Sequence, residues 1–265
     1  MANLSSIENI VRVMDFHALA RIDKAKSSAN RALVTEQLLE QTIRLINYNK
    51  NLNIDKKLMT SNPSGVELNI YIGSDLSFCG DFNTSIAGEI NRDETGLKII
   101  VGQKILKMTN KESIFAMSKE DFYRDSSQIS RIIDDYLIEN KVKSINIIYN
   151  RYYSIDDIRL EKMQVFPISL EKNADDNYDI DFVIENDANR ILCNVLAVYL
   201  NYRVMIAEKS SWAAENVNRE KIARESLKRI DELREEEIAR EHQERRRADL
   251  VEQISNFERL RWRHV

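Results

Sequence analysis

Apolar and polar residues recur with two different periods along this chain, and the changes of period mark its segments. From about Leu4 to Leu52 the spacing is helical, through Ile7, Ile10, Met14, Ala18 and Ile22, then Leu33, Leu38, Ile43 and Ile46. Ser5 and Ser6, followed by Glu8, predict an N-cap with an acid in the first turn. A helix of about 48 residues would be roughly 72 Å long at ~1.5 Å per residue, more than a compact domain of this size needs. The period then shortens to two. Val66–Ile72 alternates and ends at Gly73, which predicts a strand, and Leu97–Val101, closed by Gly102, predicts a second. Ser113–Met117 is a candidate third strand. Ile129–Leu137 returns to helical spacing, and Lys143–Tyr149 and Lys162–Ile168 read as further strands. Strand, helix and strand in alternation imply a small α/β sheet with helices on its faces.

The last segment, from about Asp187 to Glu258, is helical throughout and would reach roughly 108 Å. Residues 190–207 are strongly apolar and are expected to pack on the sheet. Its most apolar run, Ile191–Ala207, is broken by Asn194, Asn201 and Arg203 and barely reaches the shortest membrane span, so it reads as a buried helix. From Glu208 onward the apolar face narrows to Val217, Ile222, Leu227, Ile230, Leu233, Ile238, Leu250, Ile254 and Phe257, a stripe suited to a coiled-coil seam. Ile230 and Leu233 form its densest pair. The first helix leads into the sheet and the last leads out, so their joint must be antiparallel. The expected architecture is α/β: a long antiparallel two-helix coiled coil of the terminal helices (residues 1–55 and 186–265), with a small Rossmann-like α/β domain (residues 56–185) between them. The expected picture is an α/β head with a two-helix shaft.

Composition sharpens this picture. Average usage over 265 residues would give roughly 19 Gly and about 13 Pro; the chain has 6 Gly and 2 Pro. The glycines all fall between Gly65 and Gly102, so both terminal segments are free of glycine. An all-β, collagen-like or Gly-rich linker architecture is excluded. With 39 Lys+Arg against 43 Asp+Glu, the net charge is −4, and no basic face points to nucleic acid. Cys79 and Cys193 make no disulfide framework, and a reducing compartment is expected. No signal peptide is visible at the N-terminus.

Catalytic patterns are scarce. There is no Gly-Lys-Ser/Thr phosphate loop and no G-x-G-x-x-G fingerprint. His17, His242 and His264 share no metal-ligand spacing with the cysteines, and Asp156-Asp157 and Asp175-Asp176 read as solvated loop acids. Cys79 sits in a strand-to-helix turn, where a thiolate could be activated, but no histidine lies near it in sequence. No cofactor is expected.

Three patches nevertheless resemble one known family. Ile10-Val11-Arg12-Val13-Met14-Asp15-Phe16-His17-Ala18-Leu19-Ala20-Arg21-Ile22-Asp23-Lys24-Ala25 is similar to the first-helix pattern of the gamma subunit of F-type ATP synthases. Ser74-Asp75-Leu76-Ser77-Phe78-Cys79-Gly80-Asp81-Phe82-Asn83 resembles that family's S-D-R-G-L-C-G-G-F-N after the first strand. Arg246-Arg247-Ala248-Asp249-Leu250-Val251-Glu252-Gln253-Ile254 resembles its R-Q-A-x-I-T-x-E-L near the C-terminus. Ile145–Tyr152 and Val165–Ile168 resemble its late strand and the segment that follows. The patches come in the family's order. Leu76-Ser77 replaces Arg-Gly, Asp81 replaces the second Gly, and Arg247 and Val251 replace the third motif's Gln and Thr, which marks a divergent member.

The resemblance implies a non-catalytic central rotor that transmits torque between a hexamer of alpha and beta nucleotide-binding subunits and a driven partner. That partner is a proton-translocating membrane ring in the family, with an epsilon-like subunit in the stalk. It implies a peripheral complex on the cytoplasmic side of a bacterial membrane, with no direct membrane insertion. Met14, Arg246 and Arg247 are the expected contacts with the surrounding ring, and Ile254 and Phe257 would steady the tip. The departures leave room for a specialised rotary motor that drives another machine. On the residues alone, a non-rotary coiled-coil adaptor and a Rossmann-like enzyme with helical extensions also remain open.

Overall fold

The computed structural model describes residues 2–49, 51–55, 58–139, 141–168, 182 and 187–261, without the side chains of 2–5 and 255–261. The chain divides into two compact units, His17–Arg219 and a second made of Met1–Phe16 with Glu220–Val265. Helices α1 (Ala2–Tyr48) and α6 (Ala188–Arg261) contribute to both. Because α1 starts at Ala2, Ser5 and Ser6 lie inside it rather than capping it.

The larger unit is built on a five-stranded sheet, with β1 (Val66–Ile72), β2 (Leu97–Val101), β3 (Phe115–Met117), β4 (Val142–Tyr152) and β5 (Ile158–Phe166) in the order β3-β2-β1-β4-β5. The first four strands run parallel, and β5 returns antiparallel along β4. Four short helices join them: α2 (Phe82–Arg92), α3 (Gln103–Leu106), α4 (Lys119–Arg124) and α5 (Ser127–Ile138). The expected bounds of β1 and β2 match those observed. β4 continues past Tyr149 to Tyr152, and the last strand begins at Ile158, because the two are the arms of one hairpin that pairs Tyr152 with Ile158.

Strand alternation sorts side chains onto two faces. Leu68, Ile70 and Ile72, with Ile99 and Val101, and Ile145 and Ile147, meet Ile43 and Ile46 of α1, Ile129 and Ile133 of α5, and Leu192, Leu196, Leu200 and Val204 of α6. The apolar start of α6 thus lies in the core of this unit. One window of α6 is apolar and long enough to cross a membrane by composition. Tyr71, Ile100 and Ile148 point the other way, onto Phe82, Ile86 and Ile90 of α2. Asn69 and Asn146 share that second face and are satisfied there. Asn146 Nδ2 donates to Asn69 Oδ1 at 2.9 Å, and Asn69 Nδ2 donates to Asp93 at 2.8 Å. Within this unit α1 and α6 run antiparallel, tied by Arg203 Nη1 donating to the buried Glu36 at 2.9 Å.

In the smaller unit the same two helices are again antiparallel. Glu8 pairs with Arg234, and Asp15 lies 3.8 Å from Arg224. Ile230 is buried in this seam at 6% exposure. Leu233 corrects the expectation from sequence: it is 40% exposed, three residues on and turned off the seam. Stepping six residues outward from the Glu8–Arg234 pair reaches Ala2 on α1 and Arg240 on α6. Beyond that level α1 offers nothing opposite among the described residues, and Leu250, Val251 and Ile254 stand exposed.

Candidate functional site

The second sequence patch forms the turn that carries the chain off the carboxyl end of β1. Ser74 N donates to Asn83 Oδ1 at 2.9 Å, and Asn83 Nδ2 donates to Cys79 Sγ at 3.2 Å, which closes the turn onto the start of α2. Phe78 and Gly80 hold positive φ angles of 62° and 57° within it. Asp75 reaches sideways and accepts from the backbone N–H of Gln103 at 2.8 Å and of Lys119 at 3.0 Å. It therefore ties the ends of β1, β2 and β3 together. Gly102, at φ +125°, lets these ends approach closely, since a Cβ there would sit 2.9 Å from the carbonyl carbon of Gly73.

Helix α6 crosses this edge with one polar stripe. Glu208, Ser211 and Glu215 recur at i, i+3 and i+7, so they share a face, and all three are buried. Ala207 and Ala214 beside them are buried too, and their small side chains bring the helix close. Glu215 Oε1 accepts from Ser74 Oγ at 2.7 Å, and Oε2 accepts from Lys119 Nζ at 2.8 Å. Arg219 Nε donates to Glu215 Oε1 at 3.2 Å. Glu208 accepts from the Tyr123 hydroxyl at 2.5 Å and lies 3.7 Å from Lys119 Nζ. Ser211 Oγ reaches the Ile72 carbonyl at 3.5 Å, and Ser210 Oγ accepts from Tyr152 N at 3.1 Å. A cavity of about 430 Å³ opens beside the cluster, walled by Arg21, Gln103, Tyr123, Trp212 and Arg219 among others.

Electrostatics hold Glu215 and Lys119 charged. Burial pushes the Glu215 carboxyl up, but the Lys119 ammonium, the hydrogen bonds from Lys119 and Ser74, and Arg219 outweigh it, so its pKa falls below the usual range. Burial likewise pulls Lys119 down, and Glu215 and Glu208 more than restore it, so it stays protonated. Burial, then Glu208, raise the Tyr123 hydroxyl, which remains a donor. The Cys79 thiol is raised, first by burial and then by Glu215, so it is a packing group rather than an activated nucleophile. Glu208 and Glu215 are each engaged by a cation and a hydroxyl, and Asp75 by two backbone amides. The arrangement fastens a helix to a sheet edge and has no poised acid, base or nucleophile.

The predicted contact residues lie elsewhere. Met14 is half-buried on α1, while Arg246, Arg247 and Ile254 are exposed on α6. The registers set by Asp15–Arg224 and Glu8–Arg234 put Met14 opposite residues 225–228, so the structure does not bring it beside Arg246 and Arg247. The side chain of Phe257 and the whole of Asp175-Asp176 and His264 lie outside the described residues. Sequence reasoning missed Lys119, Glu208 and Glu215. The signal available was the i, i+3, i+7 polar stripe with alanines beside it, on a helix otherwise apolar where it meets the sheet. Leu76, Ser77 and Asp81, where the second patch departs from its pattern, are all exposed, whereas Ser74, Cys79, Phe82 and Asn83, which follow it, are all buried.

Comparison with known proteins gives consistent results. The family model described as ATP synthase matches residues 1–256. The ATP synthase gamma chain of Mycoplasmopsis agalactiae is 24% identical over 265 residues, covering 95% of this chain and 92% of that one. That of Clostridium beijerinckii is 22% identical over 244 residues, covering 87% and 85%. Among solved structures, a chain of the central stalk and c-ring structure of the Tetrahymena thermophila mitochondrial ATP synthase superposes with a TM-score of 0.57 at 14% identity, over 82% of this chain and 99% of that one. A chain of the Euglena gracilis mitochondrial ATP synthase gives 0.52 at 15% identity, over 97% and 95%. At these identities the structures speak for the fold.

Proposed function

The chain belongs to the ATP synthase gamma-chain family, and from that premise we propose that it is the non-catalytic central rotor of an F-type rotary ATPase. One observation carries the reading: the family match runs through both long helices and the sheet, from residue 1 to residue 256. An asymmetric shaft inside a ring of alpha and beta subunits favours a different open or closed state at each nucleotide site, so ATP binding and release bias rotation and rotation biases affinity. Such a shaft needs stiffness and a surface that does not stick. Glycine-free α1 and α6 supply the first, and the charged stretch from Arg234 to Arg247 supplies the second. Met14, Arg246 and Arg247 would face the ring, and Ile254 and Phe257 would steady the tip. In this reading an epsilon-like subunit and a proton-translocating ring complete the rotor, on the cytoplasmic side of a bacterial membrane.

A second reading keeps the rotor and changes the load. The departures at Leu76, Ser77 and Asp81 fall on exposed positions, where they alter what the molecule presents and not how it folds. That pattern favours a motor specialised for a driven partner other than a proton ring. Purifying the native complex and identifying its subunits tests both. Co-elution with two nucleotide-binding subunits in hexameric excess supports the rotor, and a membrane ring in the same peak selects the first reading. A chain that elutes with no ATPase subunit would overturn both.

A further inference from the structure

The sheet winds outward from β1 in both directions, to β2 and β3 on one side and to β4 on the other. Sheets wound this way hold anionic ligands beyond the carboxyl ends of their strands, where donors converge. Here two of the chain's own carboxylates take the donors that converge there. Asp75 takes the amides of Gln103 and Lys119. Glu215 arrives from α6 and takes Ser74, Lys119 and Arg219. Helix α6 therefore meets the sheet edge as a ligand would.

On the face of α6 that meets the sheet edge Ala207, Ser211 and Ala214 are small, and the one bulky neighbour, Trp212, packs edge-on against Tyr123 beside the ion pair. Turning α6 by one residue, about 100°, would carry the carboxylate away and leave Lys119, only 6% exposed, without its partner. An unpaired buried charge is strongly penalised, whereas a well-packed apolar pair in the same place would be about as stable as the ion pair. Leu192, Leu196, Leu200 and Val204 seat the start of α6 in the core, and about three turns further on the ion pair adds a single permitted setting for the stretch around Glu215. We propose that Glu215 is a positioning residue, an internal ligand whose carboxylate keys α6 to one rotational setting on the carboxyl edge of the sheet. This rests on the rotor reading, because torque between helix and sheet is what such a key resists.

The test uses Glu215→Ala, which removes the carboxylate and leaves its donors around an empty space. In the assembled ATPase, a bead fixed to the α/β unit reports angular fluctuation during rotation. The variant should hydrolyse ATP within about twofold of wild type while the angular variance at least doubles, and acetate should restore the variance where chloride at equal ionic strength does not. On the free full-length chain, acetate should raise the melting temperature of the variant and leave wild type unmoved. At ten times its Kd it multiplies the folded-to-unfolded ratio about elevenfold. Variance equal to wild type, or a rise that acetate leaves unchanged, overturns the proposal. Should Glu215→Ala fail to assemble, Glu215→Gln keeps the volume and carries the test: raised variance supports the key, and unchanged variance overturns it. A wild-type complex that does not rotate overturns the rotor reading instead, and the acetate shift on the free chain still decides whether the site is built for a carboxylate.

Discussion

Asp93 shows what a single residue does for this sheet. Placed just after α2, it accepts from Asn69 Nδ2, Tyr71 Oη and Gly96 N, each at 2.8 Å, and lies 3.5 Å from Lys98 Nζ. Burial pushes its carboxyl up, but those donors and Lys98 prevail and bring the pKa down to about 2. An unfolded aspartate titrates near ~3.9. A carboxyl lowered on folding contributes stability that is present above the unfolded value and lost as pH falls through the folded one. The expected outcome is a decline in the urea midpoint from about pH 5 toward pH 2. Asp93→Asn should flatten that decline, and at neutral pH it should cost roughly 1–3 kcal/mol, because its amide turns a donor toward donors. Parallel midpoint-versus-pH curves for the two proteins would show that Asp93 is not the titrating group.

Pairing of α1 with α6 is the matter to test among the elements. Ile230 is buried and Leu233 is not, although both are apolar and lie in the same narrow stripe. Ile230→Ala should cost roughly 2–5 kcal/mol as a core truncation, and Leu233→Ala less than about 1 kcal/mol as a surface change. Chemical denaturation of the full chain separates them, and equal costs would mean that the seam takes in both. This pair also shows what could be read from the chain. The helices follow from period, because one buried face imposes it, and β1 and β2 follow from short apolar runs closed by Gly73 and Gly102, although both of their faces are buried. The phase of a sparse stripe on a polar helix does not follow, since spacings of three, four and five fit more than one face, and the Glu8–Arg234 and Asp15–Arg224 pairs decide which face turns in. The polar joint was hidden for a related reason. Lys119 lies far in sequence from Glu208 and Glu215, and all three look like surface charges until the fold closes over them. Ser74 and Asn83 were visible only as parts of a familiar pattern, which did not say what they hold.

At the scale of the whole molecule, the question is how a polar helix works against a ring that it must both push and release. Arg246 and Arg247 are exposed, and the register of the smaller unit leaves their level of α6 without α1 opposite among the described residues. Arginine stays charged at any working pH and offers a planar fork to carboxylates. Contacts that form and break every cycle must each be weak, and exposed ion pairs are worth ~0.2–1 kcal/mol. Replacing both arginines by Ala should therefore leave the complex assembled while lowering its torque or ATP turnover. The defect should shrink as salt rises, because screening weakens the wild-type contacts toward the level of the variant. Hydrolysis rate and single-molecule torque, measured on the doubly substituted complex across ionic strength, provide the check. Rates and torque equal to wild type at every salt concentration would reduce the two arginines to a solvated run of charge. Loss of assembly would make them a static anchor, which is incompatible with a surface that slides.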